Sequence, residues 1–86
     1  MIRKQITITL EGPMTRSYVA ELVQLASGFE SRIMLSRDNR VVNVKSSLGL
    51  LSLTAEARQG LTLVIEGADE EQAAVAMLAA KDIQAV

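Results

Sequence analysis

The sequence predicts an α/β (α+β) fold. It is read as an open-faced sandwich of order β-α-β-β-α-β-α, with three helices on one face of a four-stranded, mainly antiparallel sheet. Three observations lead there. Short runs of β-branched and apolar residues alternate with period two, other segments repeat apolar residues at helical spacing behind a capping side chain, and turn residues separate them. The 86 residues suffice for one hydrophobic core, so residues 1–86 are read as a single domain.

Taken in order, Ile6, Ile8 and Leu10 alternate with Gln5, Thr7 and Thr9, which predicts a half-buried strand over Ile2–Leu10. Glu11-Gly12-Pro13 breaks it. A helix follows from Thr15 or Ser17, since either hydroxyl can cap the free amides. Its apolar face is Tyr18 or Val19, Leu22, Val23, Ala26 and Phe29, with Gly28 as the C-cap. Arg32–Ser36 and Arg40–Val44 read as two strands around Arg37-Asp38-Asn39, because Asp and Asn tolerate the left-handed backbone of a tight turn. Ser46 and Ser47 precede Leu48, Leu50, Leu51 and Leu53, a short helix with a serine cap. Leu61–Glu66 is a further strand. Asp69 is expected to cap the last helix, Glu70 and Glu71 to face its positive end, and Ala73, Ala74, Met77 and Lys81 to carry it toward the C-terminus.

Composition excludes several function classes. Nine basic residues against ten acidic ones give a net charge of −1, so direct nucleic-acid binding through a basic face is not expected. The chain has no Cys and no His, which removes disulfides, thiolate and imidazole catalysis, His or Cys metal sites and phosphohistidine. One Phe, one Tyr and no Trp leave no stacking platform for bases or sugars. No metal, cofactor or enzymatic residue set is expected. The N-terminal stretch alternates instead of running apolar for the ~20 residues a spanning helix needs, so a cytoplasmic protein without membrane contact is expected.

Val42-Asn43-Val44-Lys45-Ser46-Ser47-Leu48-Gly49-Leu50-Leu51-Ser52-Leu53 resembles the regulatory serine region of the HPr family, the small phosphocarriers of the bacterial sugar phosphotransferase system. Val23-Gln24-Leu25-Ala26-Ser27 is similar to the end of that family's first helix, and Gly67-Ala68-Asp69-Glu70 to the start of its last. The order of elements matches its fold over essentially the whole chain. The carrier motif departs. Where the family has a Gly-Ile-His-Ala-Arg-Pro type sequence, this chain reads Gly12-Pro13-Met14-Thr15-Arg16-Ser17-Tyr18.

Two registers fit that stretch. Matching the arginine to Arg16 puts Met14 in place of the histidine; the ungapped alignment puts Thr15 there and Ser17 in place of the arginine. We prefer the ungapped one, because an inserted residue inside a helix turns every later side chain by about 100°. Either way Met14, Thr15, Arg16 and Ser17 form a degenerate carrier site. A thioether cannot take the phosphoryl group, and a threonine ester is too stable to pass it on. In this the chain is similar to the histidine-less catabolite-repression branch of the family.

The resemblance implies that Ser46 is phosphorylated by HPr kinase/phosphorylase, with Lys45, Ser46 and Gly49 matching that context. A phosphate there sits at the positive end of a helix. The plainer alternative is that Ser46 or Ser47 only caps. Lys45, Ser47, Leu48 and Leu51 are the expected partner-binding residues. Leu48 and Leu51, at i and i+3, match the family's docking patch for the kinase, enzyme I and a LacI-type catabolite control repressor. They could instead be core, a role that Leu50 and Leu53 suit better by position. Ser47 stands where the family usually has an apolar residue.

Arg16 and Ser17 could hold an anion at a helix start or simply cap and solvate it. Met14 either offers an exposed contact or closes its loop over the core. Glu70 and Glu71 are not a catalytic pair, since helix neighbours point about 100° apart. A regulatory HPr-like protein is therefore expected, the alternative being an HPr-fold interaction module with an unrelated partner and no phosphorylation. The sequence leaves the oligomeric state open.

Overall fold

The computed structural model describes residues 1–12, 14–56 and 58–86, with the backbone alone for 55 and 56. Pro13, part of the expected break, lies outside the described residues. The elements are β1 (Ile2–Ile8), α1 (Arg16–Ser27), β2 (Arg32–Arg37), β3 (Arg40–Asn43), α2 (Ser47–Glu56), β4 (Leu61–Glu66), α3 (Glu70–Leu78) and β5 (Ile83–Ala85). The strands form one sheet in the order β3-β2-β4-β1-β5, and every pairing is antiparallel. The expected α+β class holds, with three helices and an antiparallel sheet.

Alternation fixes which face is covered. Ile6 and Ile8 of β1, Ile33 and Leu35 of β2, and Leu61, Leu63 and Ile65 of β4 are all buried. Against them pack Val19, Leu22 and Ala26 of α1, Leu50 and Leu53 of α2, and Ala73, Ala74 and Met77 of α3. The core is almost wholly aliphatic. Its polar members, Ser31 and Thr54, are hydrogen-bonded, Thr54 through its hydroxyl to the Leu50 carbonyl at 2.7 Å.

The helix starts follow the expected chemistry at α1. Thr15 is extended and its Oγ1 accepts the Tyr18 amide at 3.1 Å, so Thr15 rather than Ser17 is the cap. Tyr18 and Val19, offered as alternatives, are both buried. Phe29 lies beyond the helix, after Gly28, yet still packs on the core. The hairpin between β2 and β3 turns through Asp38 and Asn39, with Asp38 at φ 55°.

The structure corrects five expectations. β1 ends at Ile8 and β3 at Asn43, each short of the expected Leu10 and Val44. A fifth strand is present. The last helix stops at Leu78 with Ala79 as its C-cap, and beyond it Asp82 takes a left-handed conformation (φ 63°) as the chain doubles back to lay Ile83 opposite Ile8. Lys81 therefore belongs to a turn, where its carbonyl accepts the Tyr18 hydroxyl at 2.7 Å. Asp69 holds the N-cap position of α3 but makes no capping bond. Its carboxylate reaches across to the Glu30 amide at 2.9 Å and to Ser31.

Candidate functional site

The loop before α2 is tied down from both sides. Asn43 folds back so that its Oδ1 accepts the Lys45 amide at 2.8 Å, while its carbonyl accepts the Ser46 amide at 2.9 Å. Val44 is buried, and its amide donates to the Ile33 carbonyl at 2.9 Å. The Lys45 ammonium then donates to the Phe29 carbonyl at 2.7 Å, joining this loop to the one after α1. Gly49 lets the helix lie close to β3, since a Cβ there would sit 3.3 Å from Val42 Cβ.

Ser46 is the N-cap of α2. Its carbonyl takes the Leu50 amide at 3.0 Å, and its exposed hydroxyl accepts the Gly49 amide over a long 3.4 Å. The capping bond is weak, so the hydroxyl stands in solvent in front of the helix's first amides, where negative charge is favoured. In the helix itself Leu48 is 81% exposed, Leu50 and Leu53 are buried, and Leu51 is half-buried against the core. By burial, Leu48 is surface, Leu50 and Leu53 are core, and Leu51 packs partly on the core.

Arg16, Val19, Ala20, Ser47, Leu48 and Leu51 line one cleft of about 320 Å³ between α1 and α2. Residues from the degenerate carrier stretch and from the serine region therefore share a surface. α1 contributes Arg16, Val19 and Ala20 to the lining, and α2 contributes Ser47 with the apolar Leu48 and Leu51. Thr15 caps α1, Ser17 is exposed outside the cleft lining, and Met14 packs on the core, which fits loop closure. Lys45 is also outside the cleft, its charge committed to the Phe29 carbonyl. Sequence reasoning missed Ala20 as a lining residue, although it lies one turn from Arg16 on the same helix face. It had no signal for Lys45 meeting Phe29.

Two carboxyls at the start of α3 are held below the ordinary carboxylate range: Asp69 by the Ser31 hydroxyl and the Glu30 amide, and Glu70 by the α-amino group and the Gly67 amide. Burial, reinforced by Asp82 and Glu21, pushes the Tyr18 phenol up to about 12. Among the described residues no group of acidic, His or Cys side chains gathers as a metal site, and no helix is long and apolar enough to cross a membrane.

An open-faced sandwich with two helix starts meeting in one cleft, and no histidine at the carrier stretch, defines a small domain of the phosphocarrier architecture that cannot carry phosphoimidazole. Comparison with known proteins gives the family. Residues 2–82 match PTS-HPr, the PTS HPr component phosphorylation site family, and the chain belongs to it. It is 37% identical to the HPr-like protein Crh of Halalkalibacterium halodurans, over 92% of this chain and 94% of that one. It is 39% identical to the phosphocarrier protein HPr of Treponema pallidum, over 81% and 80%. The crystal structure of HPr-C-His from Thermoanaerobacter tengcongensis superposes with a TM-score of 0.80 at 36% identity, covering 91% of this chain and 88% of the other.

Proposed function

We propose that this chain is a cytoplasmic, non-enzymatic regulatory member of the bacterial phosphotransferase system that has given up the carrier step. In this reading HPr kinase/phosphorylase phosphorylates Ser46, and the phosphorylated form binds a LacI-type catabolite control repressor. One observation carries it: an exposed, weakly bonded Ser46 hydroxyl at the start of α2, immediately before the cleft-lining Ser47 and the exposed Leu48. A phosphate there adds about −1.5 to −2 charge beside free amides, so it is accommodated without unfolding the helix. Partner arginines or lysines would recognise the phosphate while an apolar groove takes Leu48 and Leu51.

Ser47 favours a second reading. A hydroxyl in the cleft lining makes the patch less apolar than is usual in the family, which suits an interaction module with an unrelated partner and no phosphorylation. One experiment separates the two. The protein is incubated with ATP and HPr kinase/phosphorylase, intact mass is measured, and both forms serve as baits for the repressor. A single phosphate mapped to Ser46, and repressor bound only by that form, is the expected result. No phosphate on Ser46, or equal binding by both forms, overturns the regulatory reading.

A further inference from the structure

The three helices cover one face of the sheet and leave the other bare. Register places the bare face's residues. Arg3 of β1 stands opposite Val64 of β4, and Val64 opposite Met34 of β2, so adjacent strands about 4.8 Å apart set a guanidinium and two apolar side chains in a row. Val41 of β3, opposite Ser36, extends the apolar strip and is 61% exposed. Arg32, opposite Glu66, borders it further along β2. Arg3, Arg32, Met34, Val41, Val64 and Glu66 all line a single shallow depression of about 300 Å³.

Charge says what suits this face. Arg3 and Arg32 are both exposed, and neither has a carboxylate partner among the described residues. Two guanidiniums against the one carboxylate of Glu66 leave the depression net positive in a chain whose net charge is −1. Like charge therefore opposes two copies meeting through it. Met34 adds an unbranched, polarizable side chain that adapts to varied apolar partners. We propose that the open sheet face is a second docking surface, independent of the α1–α2 cleft, for an acidic protein segment that sets apolar side chains on Met34, Val41 and Val64 and carboxylates on Arg3 and Arg32.

The test is a nitrogen-15 NMR titration of the full chain with the peptide acetyl-Glu-Glu-Leu-Ser-Leu-Glu-Glu-amide, whose two leucines share one face when extended. Saturable shifts at Arg3, Arg32, Met34, Val41 and Val64 are expected, weakening as salt rises. The lysine counterpart, acetyl-Lys-Lys-Leu-Ser-Leu-Lys-Lys-amide, should bind at least about tenfold more weakly. The doubly substituted Arg3→Glu, Arg32→Glu protein should lose binding by a similar factor, and Arg3→Gln with Arg32→Gln by less. Should neither variant fold, the salt dependence and the two peptides compared on the unaltered chain decide the matter. Equal binding of both peptides, shifts confined to Arg16, Ala20, Ser47 and Leu48, or no saturation overturns the proposal. So does binding of phosphatidylglycerol vesicles without binding of the acidic peptide.

Discussion

Asp69 Oδ1 accepts both the amide of Ser31, at 2.9 Å, and the Ser31 hydroxyl, which ties the start of α3 to the start of β2. Oδ2 takes the Glu30 amide at 2.9 Å. Ser31 is 1% exposed, so its hydroxyl needs this partner. Three bonds into one carboxylate favour its ionised form, which is why Asp69 is held low.

The sign of the pH dependence follows. A carboxyl depressed on folding contributes stability that is complete above its unfolded pKa, about 3.9, and is lost as pH falls through the folded value. Asp69→Asn should melt lower at pH 7 and show a flatter fall in melting temperature on acidification. Thermal melts from pH 7 to pH 2 check this. An acid limb as steep as that of the unsubstituted protein would sink the assignment.

Gly67 allows the same junction to close. A Cβ there would lie 2.6 Å from Ser31 Oγ and 2.7 Å from Ser31 Cα. Gly67→Ala should cost about 1–3 kcal/mol in urea unfolding as Ser31 is pushed from Asp69. Combined with Asp69→Asn, it should cost less than the two changes summed.

Tyr18 is the chain's single tyrosine, so an ultraviolet titration reads it alone. The folded protein should ionise near 12 and the urea-unfolded chain near the ordinary value of about 10. A raised phenol stabilises the fold fully below the unfolded pKa and ceases to do so as pH rises through the folded one. Tyr18→Phe, which loses the bond to Lys81, should cost about 0.5–1.5 kcal/mol.

The leucines of α2 should separate by burial. Leu50→Ala should cost about 2–5 kcal/mol. Leu48→Ala should stay within about 0.5 kcal/mol and act on partner affinity instead. Leu51→Ala should fall between them in stability while also weakening partner binding. Urea unfolding and binding of the phosphorylated variants check all three.

Lys45→Met keeps the aliphatic stem and removes the ammonium. It should cost about 1 kcal/mol through the lost bond to the Phe29 carbonyl. Because that ammonium is held within the chain, the salt dependence of partner binding should hardly change. A large change in salt dependence would show that Lys45 leaves Phe29 to meet the partner.

What could be read from the sequence was local. Period-two runs placed β1, β2 and β4, a valine-rich run after an Asp-Asn turn placed β3, Thr15 or Ser17 and Ser46 or Ser47 announced helix starts, and the position of Leu50 and Leu53 marked them as core. Apart from strand ends that fell one or two residues short, the misses are long-range. Asp69 looks like a cap because its neighbours say so, and only the approach of Ser31 gives it another use. β5 is three residues long, too short for a periodic signal, and it exists because β1 offers it an open edge. For the site, the resemblance pointed to Ser46, Leu48 and Leu51. That Arg16 shares a cleft with Leu48 and Leu51 is set by how α1 and α2 pack, which no spacing within either helix encodes.

The place of β1 in the sheet has a consequence for biosynthesis. It is made before the other four strands, yet it lies between β4 and β5, the last two of them to be made. While it waits, Ile6 and Ile8 have no ladder to join, and only the β2–β3 hairpin and nearby helices can form locally. The nascent chain thus holds β1 without its β4 partner until β4 has been made. Closing the sheet is a late event between distant segments, slow for a domain of this size. A chaperone that shields extended apolar segments has its opportunity in that interval.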